Sequence, residues 1–440
     1  MARDTISRGG DLPGAGALDE LIALAGNESL QDGGRMRKLN TSLRETSAIG
    51  TLKKIRPVLS RFGVSEIIDI TLDGVPACPA FQVMREDIRS EYFNAGKGYT
   101  RAEAMVSGLM EALEVHCFEH ADPSLLHASA AGSLPLVPTA DLLGRKDETA
   151  DGSGRSGEGK LVRGVDHRSG SAVWIDARDV FFGLAADGER SAASSNGIAS
   201  GNSVPEALCH AIGELLERHA LAALYRFGIG ATALSGQQHE RVVPPPEAEN
   251  LWRCLRQLKE KDISAEFLHV SSEADVAVFV CFLDLPYDAA RRAAVEGFGA
   301  NPDPQIAMAR ALAEAVQILA LCPVNGAGEA GEDASAPRTV MTTKQAAAFD
   351  AQAMDRQRLR AHGALTSLRE RLEPIDYEYL PIHDRAGEAS RSTAEELQKL
   401  VQGLRRMGCD RLYSCVISPP DLPVVVVKCF CPGLDTAFGL

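Results

Sequence analysis

Ser194-Ser195-Asn196-Gly197-Ile198-Ala199-Ser200-Gly201-Asn202-Ser203, followed by Val204-Pro205-Glu206 and then Glu214-Leu215-Leu216-Glu217-Arg218, is the stretch that organises the chain. A Gly-containing approach ends at Ser203, a residue type that caps helix N-termini. Glu206 three positions on completes a capping box, with Pro205 inside the first turn. Along the helix that follows, Glu214, Glu217 and Arg218 stand at i, i+3, i+4 and share a face. The plan recurs twice. Asn94-Ala95-Gly96-Lys97-Gly98-Tyr99-Thr100 precedes a second capping box, Thr100 with Glu103, and a helix to about His120. Glu296-Gly297-Phe298-Gly299-Ala300-Asn301-Pro302-Asp303-Pro304 reads as a third Gly-rich turn, with Asp303 as cap and Pro304 at the first helical position, opening a helix to about Leu321.

At about 100° per residue, Ser107, Glu111 and Glu114 fall in one sector, opposite Met105, Leu109, Ala112 and His116. Glu214, Glu217 and Arg218 oppose Ile212 and Leu216; Arg310, Glu314 and Gln317 oppose Met308, Leu312 and Leu319. Taken singly, each is an ordinary amphipathic helix with a wet polar face. A solvated helix, however, interleaves Lys or Arg with its acids. The first helix carries Glu103, Glu111, Glu114 and Glu119 with no Lys or Arg after Arg101. Like charges left unpaired call for a cation. Converging, the three faces would hold several carboxylates and two arginines, Arg218 and Arg310. Mg²⁺ takes oxygen ligands and keeps company with polyphosphates, whose oxygens suit arginine.

The bulk properties fit that idea. The 440 residues, 45% hydrophobic and 24% charged, describe a soluble globular protein of two or three domains or one large one. A net charge of −14 argues against nucleic acid held by phosphate contacts, but not against a nucleotide reached through a metal. No signal peptide and no membrane span are read, so no membrane partner is expected. The ten cysteines show no C-x-x-C and read as packing thiols in a reducing cytoplasm. Residues 1–45 form a polar N-terminal extension and 46–440 the main domain, with flexible loops near 144–160 and 325–337. Strands are expected over 67–72, 75–84, 162–176 (as a strand-turn-strand), 276–285, 412–417 and 423–431, and an amphipathic helix over 247–262. Gly154-x-x-x-x-Gly159-Lys160 has P-loop spacing, but Leu161 stands where a metal-binding hydroxyl belongs. His116, His120, His210 and His219 read as core or surface histidines.

At these residues the chain resembles the YcaO family. Gly96-Lys97-Gly98-x-Thr100 looks like its first loop, and Ser107-x-x-x-Glu111-x-x-Glu114 like its first nucleotide and metal motif. Asn202, Glu206 and Glu214-x-x-Glu217-Arg218 resemble the central motif and Arg310-x-x-x-Glu314 the third, within a likeness from Ile67 to Leu434. The resemblance implies an α+β, YcaO-like fold: curved mixed or antiparallel sheets flanked by helices, the nucleotide on the concave side. It implies ATP and Mg²⁺ as cofactors, with Glu111, Glu114, Glu214 and Glu217 on the metal and Lys97, Ser107, Asn202, Glu206, Arg218, Arg310 and Glu314 positioning the nucleotide. It implies a chemistry too: ATP phosphorylates a peptide-backbone amide oxygen while a nucleophile adds to the amide carbon. An internal Cys, Ser or Thr gives an azoline, a sulfide equivalent a thioamide, an amine an amidine. The elimination then expels phosphate in place of a poor leaving group, so the protein positions groups and neutralises charge.

Azoline-forming members commonly end in a proline-rich tail, whereas here the end runs Cys431-Pro432-Gly433-Leu434-Asp435-Thr436-Ala437-Phe438-Gly439-Leu440. That favours a thioamide-forming member acting on a ribosomally made peptide or protein with a TfuA-like partner. The alternatives are an azoline-forming cyclodehydratase with a partner protein, and an ATP-binding accessory factor for ribosomal protein modification. His219 stands where many members carry Asp, and homodimerisation stays open.

Overall fold

The Gly-containing stretch before each of the three helices is a strand. In the computed structural model, β5 (Ala95–Lys97) leads into α3 (Arg101–Glu119), β9 (Ile198–Gly201) into α6 (Val204–Phe227), and β13 (Ala294–Asn301) into α8 (Pro304–Leu321). In the sequence alone these stretches read as Gly-rich approaches and turns; that they are strands has a steric cause. A Cβ on Gly96 would lie 2.0 Å from the Ala104 carbonyl oxygen and 2.1 Å from the Gly108 amide; one on Gly299 would lie 2.1 Å from the Ala307 carbonyl oxygen. The glycines let each helix lie directly on its own strand. The matching helix positions are small: Ala104, Gly108 and Ala112; Ala207 and Ala211; Ala307, Ala311 and Ala315.

The caps stand where the spacing puts them. Thr100 Oγ1 accepts from the Glu103 amide at 3.2 Å, Ser203 Oγ from the Glu206 amide at 3.3 Å, and Asp303 Oδ1 from the Gln305 amide at 3.0 Å.

The structure describes residues 15–24, 37–38, 42–86, 88–90, 94–128, 134–143, 159–184, 193–227, 239–271, 273–285, 294–321, 372–379 and 392–435. The loop expected over 325–337, and nearly all of that over 144–160, lie outside the described residues. Before the first unit come α1 (Ala15–Leu24), a two-stranded ribbon of β1 (Arg37–Lys38) and β2 (Leu43–Arg44), and α2 (Ala48–Ile55), then β3 (Val64–Asp69) and β4 (Ala80–Arg85). The strand expected over 67–72 starts earlier and stops at Asp69, whose carboxylate accepts from the Thr71 amide in a turn.

Between the first and second units lie β6 (His127–Ala128), α4 (Thr139–Leu143), β7 (Lys160–Asp166), β8 (Ser171–Asp176) and α5 (Ala177–Val180). Between the second and third lie β10 (Glu240–Val243), α7 (Glu249–Lys259), β11 (Ser264–Ser271) and β12 (Ala277–Asp284). After the third come β14 (Pro374–Asp376), α9 (Thr393–Arg406), β15 (Tyr413–Val416) and β16 (Val425–Phe430).

Three larger sheets result: β3-β4-β5; β6-β7-β15-β16-β9 with β8 beside β7; and β13-β12-β11-β10-β14. Their pairings are antiparallel save β10 with β14, so this is a mixed α+β architecture. β5, β9 and β13 are each the last strand of their sheet. The three units close into a ring: α3 packs on β5 and on β9, α6 on β9 and on β13, α8 on β13 and back on β5. The core divides accordingly. One cluster joins α3 to the six-stranded sheet through Met105, Leu109 and Phe118, Val162 and Val426. A second sandwiches α6 between the larger sheets through Leu208, Ile212 and Leu215, and a third packs α7 and α8 on the far face of the five-stranded sheet through Leu258, Phe279 and Leu312. Burial on this scale, at about 25 cal/mol per Å² of apolar surface, dominates the fold.

Candidate active site

At the centre of the ring lies a cavity of about 550 Å³. All eleven residues singled out in the sequence line it: Lys97 from β5, Ser107, Glu111 and Glu114 from α3, Asn202 after β9, Glu206, Glu214, Glu217 and Arg218 from α6, and Arg310 and Glu314 from α8. Each helix turns its apolar side to a core cluster and its polar side, with one or more acids, inward.

The carboxylates are held by the strand edges beside them. Glu114 Oε1 accepts from the Ser200 amide at 2.7 Å and from the Ser200 hydroxyl at 2.6 Å. Glu111 Oε2 accepts from the Ala95 amide at 3.4 Å. Lys97 Nζ pairs with Glu314, tying β5 to α8 across the ring. Glu206 accepts from the Asn202 amide at 3.1 Å and the Glu45 amide at 2.8 Å.

Burial makes these acids unusual. It pushes the Glu111 carboxyl up to about 8, with Glu114 and Glu314 adding to the rise against Lys97. It pushes Glu214 up to about 7 and raises Glu114 and Glu217 as well. Glu314 behaves oppposite: burial would raise it too, but Lys97, Arg218 and Arg310 together hold it below its ordinary value. Buried acids of this kind resist ionisation, and a bound cation would favour their charged form.

The donor set is oxygen only, as Mg²⁺ requires. Among the described residues no group of three or more His, Cys, Asp or Glu is arranged to hold a metal unaided. The residues fit a metal-bound polyphosphate: Glu111, Glu114, Glu214 and Glu217 offer carboxylates, and Lys97, Arg218 and Arg310 offer cations to phosphate.

Several wall residues escaped the sequence reading. Arg44 reaches in from the segment set aside as a polar extension, with Nη1 3.2 Å from the Ser200 carbonyl oxygen and 3.3 Å from Glu206 Oε1. On α2, Thr51 exchanges hydrogen bonds with the Asn202 side chain and Lys54 Nζ donates to Asn202 Oδ1 at 3.0 Å. Ser47, whose hydroxyl accepts from the Gly50 amide at 3.1 Å, marks the start of that helix and was the available signal. His210 also lines the cavity, correcting its reading as a core or surface residue; it stands four positions after Glu206 and four before Glu214. His219 is not part of the cavity lining: its Nδ1 accepts from the Asp435 amide at 2.9 Å, fastening the segment after β16, and its Nε2 lies 3.6 Å from Glu273.

Three strand–helix units closing on an acid-lined, cation-rimmed cavity define a class: proteins that hold a metal-bound polyphosphate at the junction of three sheet edges. A family model described as YcaO cyclodehydratase, ATP- and Mg²⁺-binding, matches residues 95–435, and the chain belongs to the YcaO family. ATP and Mg²⁺ are accordingly its cofactors. A protein encoded in the tfuA 3′ region of Rhizobium leguminosarum bv. trifolii is 25% identical over 405 residues, covering 89% of this chain and 88% of that protein. The structure of YcaO from Methanopyrus kandleri, bound with AMPPCP and Mg²⁺, shares the fold at a TM-score of 0.66 and 22% identity, covering 92% of this chain and 95% of that one. A heterocyclase in complex with substrate and cofactor gives a TM-score of 0.65 at 18% identity; the match covers 95% of this chain but 56% of that one.

Proposed function

We propose that the chain activates a backbone amide of a ribosomally made peptide or protein by ATP- and Mg²⁺-dependent O-phosphorylation, and that the product is a thioamide. The observation that carries this reading is the convergence of acids from α3 and α6 with cations from β5, α6 and α8 on one cavity. Bound ATP would supply an electrophilic phosphoryl group that makes the amide oxygen a leaving group. In that role Glu111, Glu114, Glu214 and Glu217 hold Mg²⁺. Lys97, Arg218 and Arg310 neutralise phosphate charge, while Ser107, Asn202, Glu206 and Glu314 fix the nucleotide and its neighbours. Thioamide formation and a TfuA-like partner are favoured by the relative encoded beside tfuA.

The test incubates the full chain with candidate peptide, ATP, Mg²⁺ and sulfide, with and without a TfuA-like protein, and follows ATP loss and peptide mass. A gain of about 16 Da marks oxygen-to-sulfur exchange and a loss of about 18 Da marks dehydration to an azoline, as the leaving-group chemistry requires. Azoline formation would replace the thioamide reading while keeping amide activation. Nucleotide binding without any peptide-dependent turnover would turn the assignment towards an accessory factor.

A further inference from the structure

His210 sits on α6 one turn beyond Glu206 and one turn before Glu214, in the wall of the cavity, and has no part in the assignment above. Its Nδ1 lies 3.4 Å from Arg44 Nη2. A guanidinium N–H only donates, so Nδ1 accepts and the proton of the neutral ring is on Nε2. The groups around it decide its charge. Arg44 from the N-terminal segment, Lys97 from β5 and Arg310 from α8 stand against a fourth positive charge. With burial as the largest cause, they hold the imidazole well below its ordinary value. The acids lining the cavity with it are Glu103, Glu111 and Glu114 of α3, Glu206, Glu214 and Glu217 of α6 and Glu314 of α8. Of these, Glu206 already accepts from Arg44, Glu45 and Asn202, Glu114 accepts from Ser200, and Glu314 is paired with Lys97. With Nδ1 beside Arg44, the ring is an uncharged donor whose N–H is on Nε2.

Its station along α6 narrows the choice. Asn202 and Glu206, on one side, are assigned to the nucleotide, and Glu214 and Glu217, on the other, to the metal. Arg44, Arg310 and Lys97 around the ring make this the part of the cavity that suits phosphate oxygens. We propose that His210 donates a neutral hydrogen bond from Nε2 to a phosphate oxygen that ATP and ADP share. The inference rests on the nucleotide reading and adds one contact to it. A neutral donor suits this position because it binds a phosphate oxygen without drawing charge away from Mg²⁺, as a further cation would.

Calorimetric affinities for a non-hydrolysable ATP analogue with Mg²⁺, for ADP and for adenosine test the contact in the full chain. His210→Ala should weaken the ATP analogue and ADP by about ten-fold or more, the usual effect of losing a hydrogen bond to a charged acceptor, and leave adenosine unchanged. His210→Gln, which keeps an amide donor, should recover most of the loss. The ratio of wild-type to His210→Ala affinity should be the same at about pH 6 and about pH 8, where an ordinary histidine would titrate. Equal affinity in the two proteins, a defect shared by adenosine, or a ratio that grows as pH falls would each overturn the assignment. Failure of the wild-type chain to bind the analogue would sink the nucleotide reading instead. Should His210→Ala not fold, ¹⁵N shifts of His210 in the wild type decide the matter. The Nε2–H tautomer across that pH range, with Nε2 moving when nucleotide is added, is expected; an imidazolium or the Nδ1–H tautomer would refute it.

Discussion

The walls built by α3 and α8 carry polar residues at the same helical spacing, Ser107, Glu111 and Glu114 against Arg310, Glu314 and Gln317, yet their acids behave oppositely. On α3, Glu111 is pushed up to about 8 by burial and by Glu114 and Glu314 beyond it. On α8, Glu314 suffers the same burial and is nonetheless held below its ordinary value by Lys97, Arg218 and Arg310. The difference lies in what each acid faces, since α3 carries no Lys or Arg beyond Arg101. The Glu314 charge is neutralised by the protein's own cations, whereas at Glu111 burial outweighs the pull of Lys97. Burial alone therefore does not set the state of an acid in this cavity; the placement of cations does.

The sharpest way to strain this comparison is Glu217→Gln. As a proposed metal ligand on the shared α6 wall, its loss should reduce ATP turnover more than about 100-fold, with the fold intact by circular dichroism. Turnover within a few-fold of wild type would show that the acids do not serve a metal.

Next in size is Gly299→Ala, because its new Cβ meets the Ala307 carbonyl oxygen at 2.1 Å. Prising α8 from β13 should cost about 1–3 kcal/mol in denaturant unfolding. No change in the midpoint would mean that the close strand–helix approach is not needed.

The two walls can then be set against each other directly. Glu314→Gln leaves Lys97 without its charged partner and should cost about 1–3 kcal/mol without ligand. Glu111→Gln mimics an acid that is already protonated at neutral pH and should fall within about 0.5 kcal/mol of wild type. Equal costs would erase the distinction between the walls.

The smallest effect is the pH trend. The folded values of Glu111 and Glu214, about 8 and about 7, lie above the ordinary 4.5. The folded state thus binds more protons than the unfolded chain between these limits. The contribution of these groups to stability is whole below the ordinary value and is lost as pH rises through 7 and 8. Without nucleotide, melting temperature should fall over that range; with nucleotide and Mg²⁺ the fall should shrink, as the cation takes the place of the protons. A melting curve insensitive to both pH and ligand would count against buried acids as the receptor.

Much of the site could be read from the order of residues because helix periodicity is local. Ser107, Glu111 and Glu114 share a face in any α-helix, and capping boxes such as Thr100 with Glu103 mark where the helix begins. What periodicity cannot supply is distance between elements. Ala95–Lys97 and Ile198–Gly201 are too short and too rich in small residues to alternate, so they look like turns until a helix is laid against them. The steric demand that explains Gly96 comes from Ala104 and Gly108. Arg44 was hidden for a related reason: its partners Ser200, Glu206 and His210 lie more than 150 residues away in sequence. His210 was visible on the wheel with Glu206 and Glu214, but a histidine among apolar neighbours more often packs than binds.

The six-stranded sheet sets a timetable for manufacture. β9, which opens the α6 unit, has β16 as its sheet neighbour, and β16 and β15 also stand between it and β7. On the ribosome, β9 therefore waits for residues 425–430, more than two hundred positions later, before it has a partner. Long-range pairings of this kind form late and slowly. Until β16 is made, the growing chain holds a strand without its sheet neighbour, so completion of this side of the cavity follows the synthesis of residues 425–430.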